Sequence, residues 1–370
     1  MQKERLIYID NLRLFLIILV ILLHISIIYG GAGNYPIKET ASDSISPIML
    51  TFFNAICQSF FMSLFFLLSG YFIPSSYDRN GPKKFVKSRL IRLGIPLIIN
   101  TTLLKVILDY LMINFYEKTP LAFSQVIVNN LKNPGWVVGP LWFVEALLIF
   151  TFVYVLYRIF INKKIILFNN KFPSAKSIIL IIPALAILTF IVRIFIPVGE
   201  EIHVFQLGHF VPYIFYFWIG IVSYRNNWLN TLSNNQSKFW KILAIIIIIS
   251  LPFLLLLNSN TESFIGGFSP ESFLFSLWES IACVSIMISL ASIFKNRLDK
   301  QGKLLAWAAP NFYTAYIIHA LVIIPIALIF MPIKFPTYVK FFIVSLIALP
   351  LCFIISSLIR KIPHAKRVLG

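Results

Sequence analysis

The sequence predicts an all-α integral membrane protein of about ten transmembrane helices, with the N- and C-termini both cytoplasmic. Three observations carry that expectation. Of the 370 residues, 59% are hydrophobic and only 12% charged, against about 25% charged in a typical soluble domain. The apolar residues gather into segments of the ~20 residues that a hydrocarbon core of about 30 Å requires. The 32 Lys and Arg fall mostly in alternate loops, as they do where loops face the cytoplasm.

Taken in order, the predicted spans are 11–31, 48–73, 93–116, 139–161, 177–198, 208–225, 239–257, 272–294, 311–331 and 337–359. No secretory signal pattern precedes the first, which is long enough to cross, and Lys3, Arg5 and Arg13 mark its inner end. Arg79, Lys83, Lys84, Lys87, Arg89 and Arg92 join the second span to the third. Arg158, Lys163, Lys164, Lys171 and Lys176 join the fourth to the fifth, and Arg225, Lys238 and Lys241 the sixth to the seventh. Lys295, Arg297, Lys300 and Lys303 lie between the eighth and ninth, and Arg360, Lys361, Lys366 and Arg367 follow the tenth. The opposite side has only Lys38, Lys118, Lys132, Lys334 and Lys340. The net charge of +18 therefore follows from topology and does not call for nucleic acid. The connections are short, so residues 1–370 are expected to form a single polytopic membrane domain with no appended soluble domain. Cys57, Cys283 and Cys352 all fall in apolar segments, which suggests neither a disulfide framework nor a metal cluster.

Ionisable residues inside a bilayer are costly and mark either partners or a cavity. Here they are His24, Lys105, Asp109, Glu145, Arg193, His209, Glu279 and His319. Lys105 and Asp109 are spaced to pair with each other on one helix. Arg13 and His24 are eleven residues apart, about 16 Å of helical rise on one face, with Asp10 nearly in line. Glu145 lies about 9 Å below Gly139, at a depth matching that of His24. A carboxylate there can hold an imidazole in one tautomer and support its protonated form. Glu279 and Arg193 fall at comparable depth, which suggests a polar chamber open to the outside. On these residues alone the site is either enzymatic or transport-related, and a single intramembrane histidine is more often an interhelical hydrogen-bonding group than a catalyst.

Several stretches resemble a known family. Ile9-Asp10-Asn11-Leu12-Arg13 with His24 beyond it, Phe66-Leu67-Leu68-Ser69-Gly70, and Arg89-Leu90-Ile91-Arg92 followed by Pro96 are similar to motifs of the acyltransferase family three membrane proteins. So are Leu141-Trp142-Phe143-Val144-Glu145 and Tyr313-Thr314-Ala315-Tyr316-Ile317-Ile318-His319. Gln206-Leu207-Gly208-His209-Phe210, Trp278-Glu279-Ser280 and Leu358-Ile359-Arg360-Lys361-Ile362-Pro363 are similar to the branch of periplasmic-glucan and surface-polysaccharide O-acyltransferases. Two departures stand out: Phe61 where the family often has Gly, and Ala146 where a second acidic residue often follows Glu145.

The resemblance implies transfer of an acetyl or succinyl group from cytoplasmic acyl-coenzyme A (acetyl-CoA or succinyl-CoA) to a hydroxyl of an extracytoplasmic or envelope polysaccharide. It implies a multi-pass protein of the cell (cytoplasmic) membrane that needs no metal. Its partners would be the acyl-CoA, a carbohydrate acceptor and the lipid bilayer, with other envelope-polysaccharide proteins an open question. His24 would be the catalytic base or acyl carrier, with Glu145 orienting it. Arg89 and Arg92 would hold the coenzyme A phosphates, with Arg13 and Ser69 along the donor's route. Asp10, Glu279, His319, Arg193 and Trp142 would line the pocket, and Trp142 and Trp136 could stack on a sugar or simply anchor at the interface. The rival functions are a transporter or flippase of a lipid-linked or polar solute, and a non-catalytic assembly subunit.

Overall fold

The computed structural model describes residues 6–133, 135, 138–160, 171–258 and 260–369. The readings above that concern Lys3, Arg5, Trp136, Lys163 and Lys164 lie outside these residues. Among the described residues the chain is helical, and the only β pairing is an isolated bridge between Ile202 and Phe205.

Ten helical stretches matter for the site. They are α1 (Ile7–Ile28), α2 (Ile45–Tyr116), the short α3 (Phe123–Lys132), α4 (Gly139–Phe160) and α5 (Ala175–Phe195). After them come α6 (Leu207–Arg225), α7 (Asn234–Leu255), α8 (Pro270–Arg297), α9 (Lys303–Phe330) and α10 (Thr337–Ile359). All but α3 are long and apolar enough to cross a membrane, which makes nine such runs among the described residues. The sequence predicts about ten crossings, and the difference lies in α2. That run contains both predicted spans 48–73 and 93–116, and its 72 residues would measure about 108 Å if straight, more than three hydrocarbon thicknesses. Gly81 interrupts the helical backbone between the two spans, at φ 70° and ψ 168°, a conformation that glycine adopts at low cost.

Capping residues move several helix starts from where hydropathy alone sets them. The Ser174 hydroxyl accepts from the Ser177 amide at 3.2 Å, so α5 begins at Ala175. The Ser233 hydroxyl does the same for Gln236 at 3.3 Å, adding a polar first turn to α7. The Ser269 hydroxyl accepts from Ser272, with Pro270 in the first turn of α8. Each such cap contributes about 1 kcal/mol. The lipid-facing sides are equally legible. Ile242, Ile245, Ile246, Ile249 and Phe253 are exposed along α7, as are Leu180, Ile187, Leu188 and Ile191 along α5. Large aliphatic side chains repeating at helical spacing on an open face belong against hydrocarbon rather than water.

The chain forms two compact units, one from residues 1–13, 55–85 and 149–301, the other from 14–54, 86–148 and 302–370. In the first unit, α8 packs between α5 and α7. Trp278 donates to the Ile247 carbonyl at 2.8 Å, and Ser237 bonds Ser292. The start of α1 is tied to the far end of α8, where Asp299 accepts from the Tyr8 amide at 3.1 Å and Asn11 donates to the Leu298 carbonyl at 2.7 Å. Arg158 and Arg225 converge on Asp78 at 3.1 and 2.6 Å, so these basic ends lie on one side of the unit, as the charge distribution predicts. In the second unit α9 packs along α10, and Arg360 reaches the Asn311 side chain at 3.0 Å. Lys105 pairs with Asp109 at 2.5 Å, as their spacing predicts, and also donates to Asn130 of α3 at 2.6 Å.

Candidate active site

Within the second unit, α1 and α9 bring two histidines together. The His24 ring stacks on His319 of α9, with centroids 5.0 Å apart and planes 17° apart. It also stacks on Tyr35 from the loop after α1, at 4.7 Å and 29°. His319 is fully buried, and its Nδ1 lies 2.5 Å from the Tyr316 carbonyl oxygen. A carbonyl only accepts, so the proton sits on Nδ1 and the Nε2 lone pair is left as acceptor. That Nε2 and the Nδ1 of His24 are both buried with no hydrogen-bond partner among the described residues. Buried polar atoms are nearly always paired in folded proteins. Two unpaired ring nitrogens on stacked imidazoles mark this cluster as a place where a ligand's polar groups belong.

The helix that carries His319 also anchors two other predicted segments. One turn before His319, the Tyr316 hydroxyl donates to the Pro140 carbonyl at the start of α4, and its ring meets Phe143 edge-on at 6.2 Å. The beginning of α4 is thereby held beside this turn of α9. Trp142 and Glu145 are both half-buried there, Trp142 next to Phe143 at 6.4 Å and Glu145 in the first α-helical turn. One turn earlier again, the Tyr313 hydroxyl donates to the Arg92 carbonyl at 2.7 Å. The charges of Arg92 and Arg89 both act on the Tyr313 phenol. Arg92 lies in a π-helical turn, Leu90–Gly94, of the kind that often accompanies functional positions. The six residues from Tyr313 to His319 rise about 9 Å. One helix thus ties the arginine pair at one level to the histidine pair two turns away.

The other predicted site residues lie in the first unit. Asp10 and Arg13 form an ion pair at 3.9 Å, and the Arg13 guanidinium sits over the Phe72 ring at 4.4 Å. Ser69 is half-buried on α2. Beside it, Gly70 lies directly on the Phe217 carbonyl of α6, and Gly220 lies on the Leu67 carbonyl in return. A Cβ at either would overlap backbone, so this glycine pair sets a close helix crossing. The crossing does without a glycine at Phe61, which is buried. Arg193 and Glu279 meet at 2.5 Å, both buried. Arg193 also donates to the Gly208 carbonyl at 3.0 Å and to Ser276 at 3.3 Å, and His209 Nδ1 stands 3.5 Å from Glu279. These groups satisfy one another and join α5, α6 and α8. An apolar cavity in the same unit, lined by Leu64, Leu67, Phe215, Met287 and others, offers little besides the hydroxyls of Tyr8, Tyr216 and Ser223 for chemistry.

Sequence reasoning missed Tyr35, Tyr316 as an anchor, and the Lys340–Glu39 ion pair, in which a lysine assigned to an outer loop is 2% exposed. One signal was available. From Asn34 to Ser42, Tyr35, Ile37, Glu39 and Ala41 are buried or half-buried, and the residues between them are exposed. That two-residue alternation marks an extended segment lying on a surface.

Comparison with known proteins follows the same lines. A family profile described as an acyltransferase domain matches residues 6–359. The chain is 30% identical over 146 residues to glucans biosynthesis protein C of Escherichia coli (strain K12) and of Shigella dysenteriae serotype 1 (strain Sd197). The aligned stretch covers 39% of this chain and 36% of each relative, so the chain spans little more than a third of the length of the curated relatives it matches. No solved structure matches it.

Proposed function

The chain belongs to the acyltransferase domain family, the third acyltransferase family, and from that premise we propose that it moves an acyl group across a membrane. The donor is cytoplasmic acyl-coenzyme A, carrying acetyl or succinyl, and the acceptor is a hydroxyl of an extracytoplasmic or envelope polysaccharide. The protein sits as a multi-pass enzyme in the cytoplasmic membrane with both termini inside. The relatives named for glucan biosynthesis support a glucan-type acceptor.

The observation that carries this reading is the pair of ends on α9, with Arg92 held by Tyr313 and His24 stacked on His319. Arg89 and Arg92 bind the phosphates of coenzyme A, since a guanidinium fork suits phosphate oxygens. The thin thioester arm extends along α9. At the imidazole end, His24 takes the proton of the acceptor hydroxyl as its oxygen attacks the thioester carbonyl carbon. The carbon–sulfur bond then breaks, and the thiolate recovers a proton from the imidazolium. In the covalent variant, His24 attacks first and carries the acyl group before the hydroxyl displaces it. Glu145 supports the charged imidazolium, and His319 presents its Nε2 as a second proton acceptor beside His24. Trp142 faces the acceptor.

The test uses purified protein in liposomes with labelled acetyl- or succinyl-coenzyme A and a glucose oligosaccharide. Transfer of label to the sugar is the expected result, and His24→Ala should abolish it while membrane levels stay normal. An intact thioester with the wild-type protein would turn the reading towards a transporter or a scaffold. Retained transfer in His24→Ala would remove His24 from the chemistry.

A further inference from the structure

We propose that Tyr35 is a positioning residue for the reaction at His24, held on the imidazole by a loop that Glu39 and Lys340 latch in place. The proposal rests on the preceding reading of His24 as the group that handles the acceptor proton.

The loop from Gly30 to Ser44 behaves as a strap. Its turn out of α1 uses Gly30 and Gly33 at φ 101° and 145°, values that side-chain-bearing residues rarely adopt. A Cβ at Gly33 would also come within 2.6 Å of the Ile27 side chain. Beyond the turn the chain is pinned at both ends. The Gly31 amide donates to the Ser26 carbonyl and the Glu39 amide to the Ile28 carbonyl, both at 2.8 Å. Tyr35 and Ile37 point inward between these pins, 8% and 0% exposed.

The latch is an ion pair that burial makes stringent. Lys340, in the first turns of α10, is 2% exposed. It pairs with the Glu39 carboxylate and donates to the Met331 carbonyl at 3.0 Å. A buried ammonium that loses its carboxylate is left uncompensated, which opposes any movement of Glu39. A second fastening lies three residues on, where the Thr337 hydroxyl accepts from the Ser42 amide at 2.8 Å.

What this fastening delivers to His24 is a ring rather than a hydrogen bond. The Tyr35 hydroxyl has no hydrogen-bond partner among the described residues, and burial pushes the phenol well above its ordinary value, so it stays neutral. Its ring stacks on the imidazole at 4.7 Å. A ring so placed fixes the imidazole plane and keeps water from that side, and water at an acyl-transfer site hydrolyses the thioester instead of passing the acyl group on. Tyr35 therefore acts through His24, and Lys340 and Glu39 act through Tyr35.

The experiment uses the full chain in liposomes with labelled acetyl-coenzyme A. It reads two rates: transfer to a glucose oligosaccharide, and thioester hydrolysis without acceptor. Tyr35→Phe keeps the ring and should leave the hydrolysis-to-transfer ratio as in wild type. Tyr35→Ala, Lys340→Met and Glu39→Gln should each lower kcat for transfer, by about tenfold to a hundredfold where the imidazole is misplaced, and raise that ratio. Donor KM should change little. Tyr35→Ala combined with Lys340→Met should shift the ratio no further than the larger single change, because both act on one ring. If Lys340→Met does not reach the membrane, Tyr35→Ala and Glu39→Gln carry the same expectation. A wild-type ratio in Tyr35→Ala, or effects that multiply in the double variant, would overturn the proposal while leaving the acyltransferase reading intact. A wild-type protein that neither transfers nor hydrolyses the thioester would overturn both.

Discussion

Replacing Glu279 by Ala tests whether the Arg193 cluster holds α5, α6 and α8 together. Arg193 is 0% exposed, and its guanidinium spends its donors on Glu279 at 2.5 Å, the Gly208 carbonyl at 3.0 Å and Ser276 at 3.3 Å. Without the carboxylate the guanidinium stays buried among neutral groups alone, the Gly208 carbonyl, Ser276 and the His209 ring at 3.3 Å, and breaking a buried pair in this way costs about 3–5 kcal/mol. Glu279→Gln retains an oxygen that accepts from Arg193. Since a charge-assisted bond is roughly twice as strong as a neutral one, its loss should be about half as large. Removing both charges together, with Arg193→Met and Glu279→Leu, exchanges the pair for apolar packing, which is often close to neutral. The Gly208 carbonyl then loses a donor, at about 1 kcal/mol net. The assay is thermal unfolding in detergent, compared as an order of midpoints because a protein of this size need not unfold in one step. Glu279→Gln and the double variant should fall between wild type and Glu279→Ala. A wild-type midpoint for Glu279→Ala, or a double variant below it, would refute the argument that Arg193 depends on this carboxylate.

Three further outcomes follow from the same geometry. Arg89→Ala with Arg92→Ala should weaken acyl-coenzyme A binding by at least about a hundredfold, since two charge-assisted phosphate contacts of about 1.5–3 kcal/mol each are lost; unchanged affinity in a binding titration would reject the phosphate role. Gly220→Ala sets a methyl against the Leu67 carbonyl and 2.9 Å from the Tyr71 amide. Backbone yields little, so about 1–3 kcal/mol should be lost as α2 and α6 separate, and a wild-type unfolding midpoint would show that the crossing has room. Tyr316→Phe removes the bond to the Pro140 carbonyl and should cost about 1 kcal/mol; an unaltered midpoint would mean the start of α4 is held without it.

The helical scaffold was readable because bilayer thickness and loop charge act on every residue of a segment at once. The ends of α5 and α7 were missed by a few residues because Ser174 and Ser233 start those helices by hydrogen bonding, which hydropathy does not register. Of the polar residues, the Lys105–Asp109 pair was legible because it is local. Arg193 and Glu279 were matched by depth, and they meet. The stacking of His319 on His24 was not legible, because depth reckoned separately on two helices ignores their tilt and relative slide. Lys340 was placed on the outer side with no partner named, because Glu39, which makes its burial tolerable, lies some three hundred residues earlier in the chain.

Tyr313, Tyr316 and His319 follow one another at three-residue steps along a single rod. The separation between the Arg92 backbone and the imidazoles is therefore a property of peptide geometry, insensitive to rotamers. Inserting one residue between Tyr313 and His319 would swing one end by about 100° relative to the other, so no small adjustment of that length is available to variation. Under the proposed function, a donor has to match that fixed measure from its anionic head to its reactive carbon, whatever acyl group it bears. On that proposal, preference between a short acyl group and a longer one is set past the imidazole, among side chains that can change size without disturbing the measure.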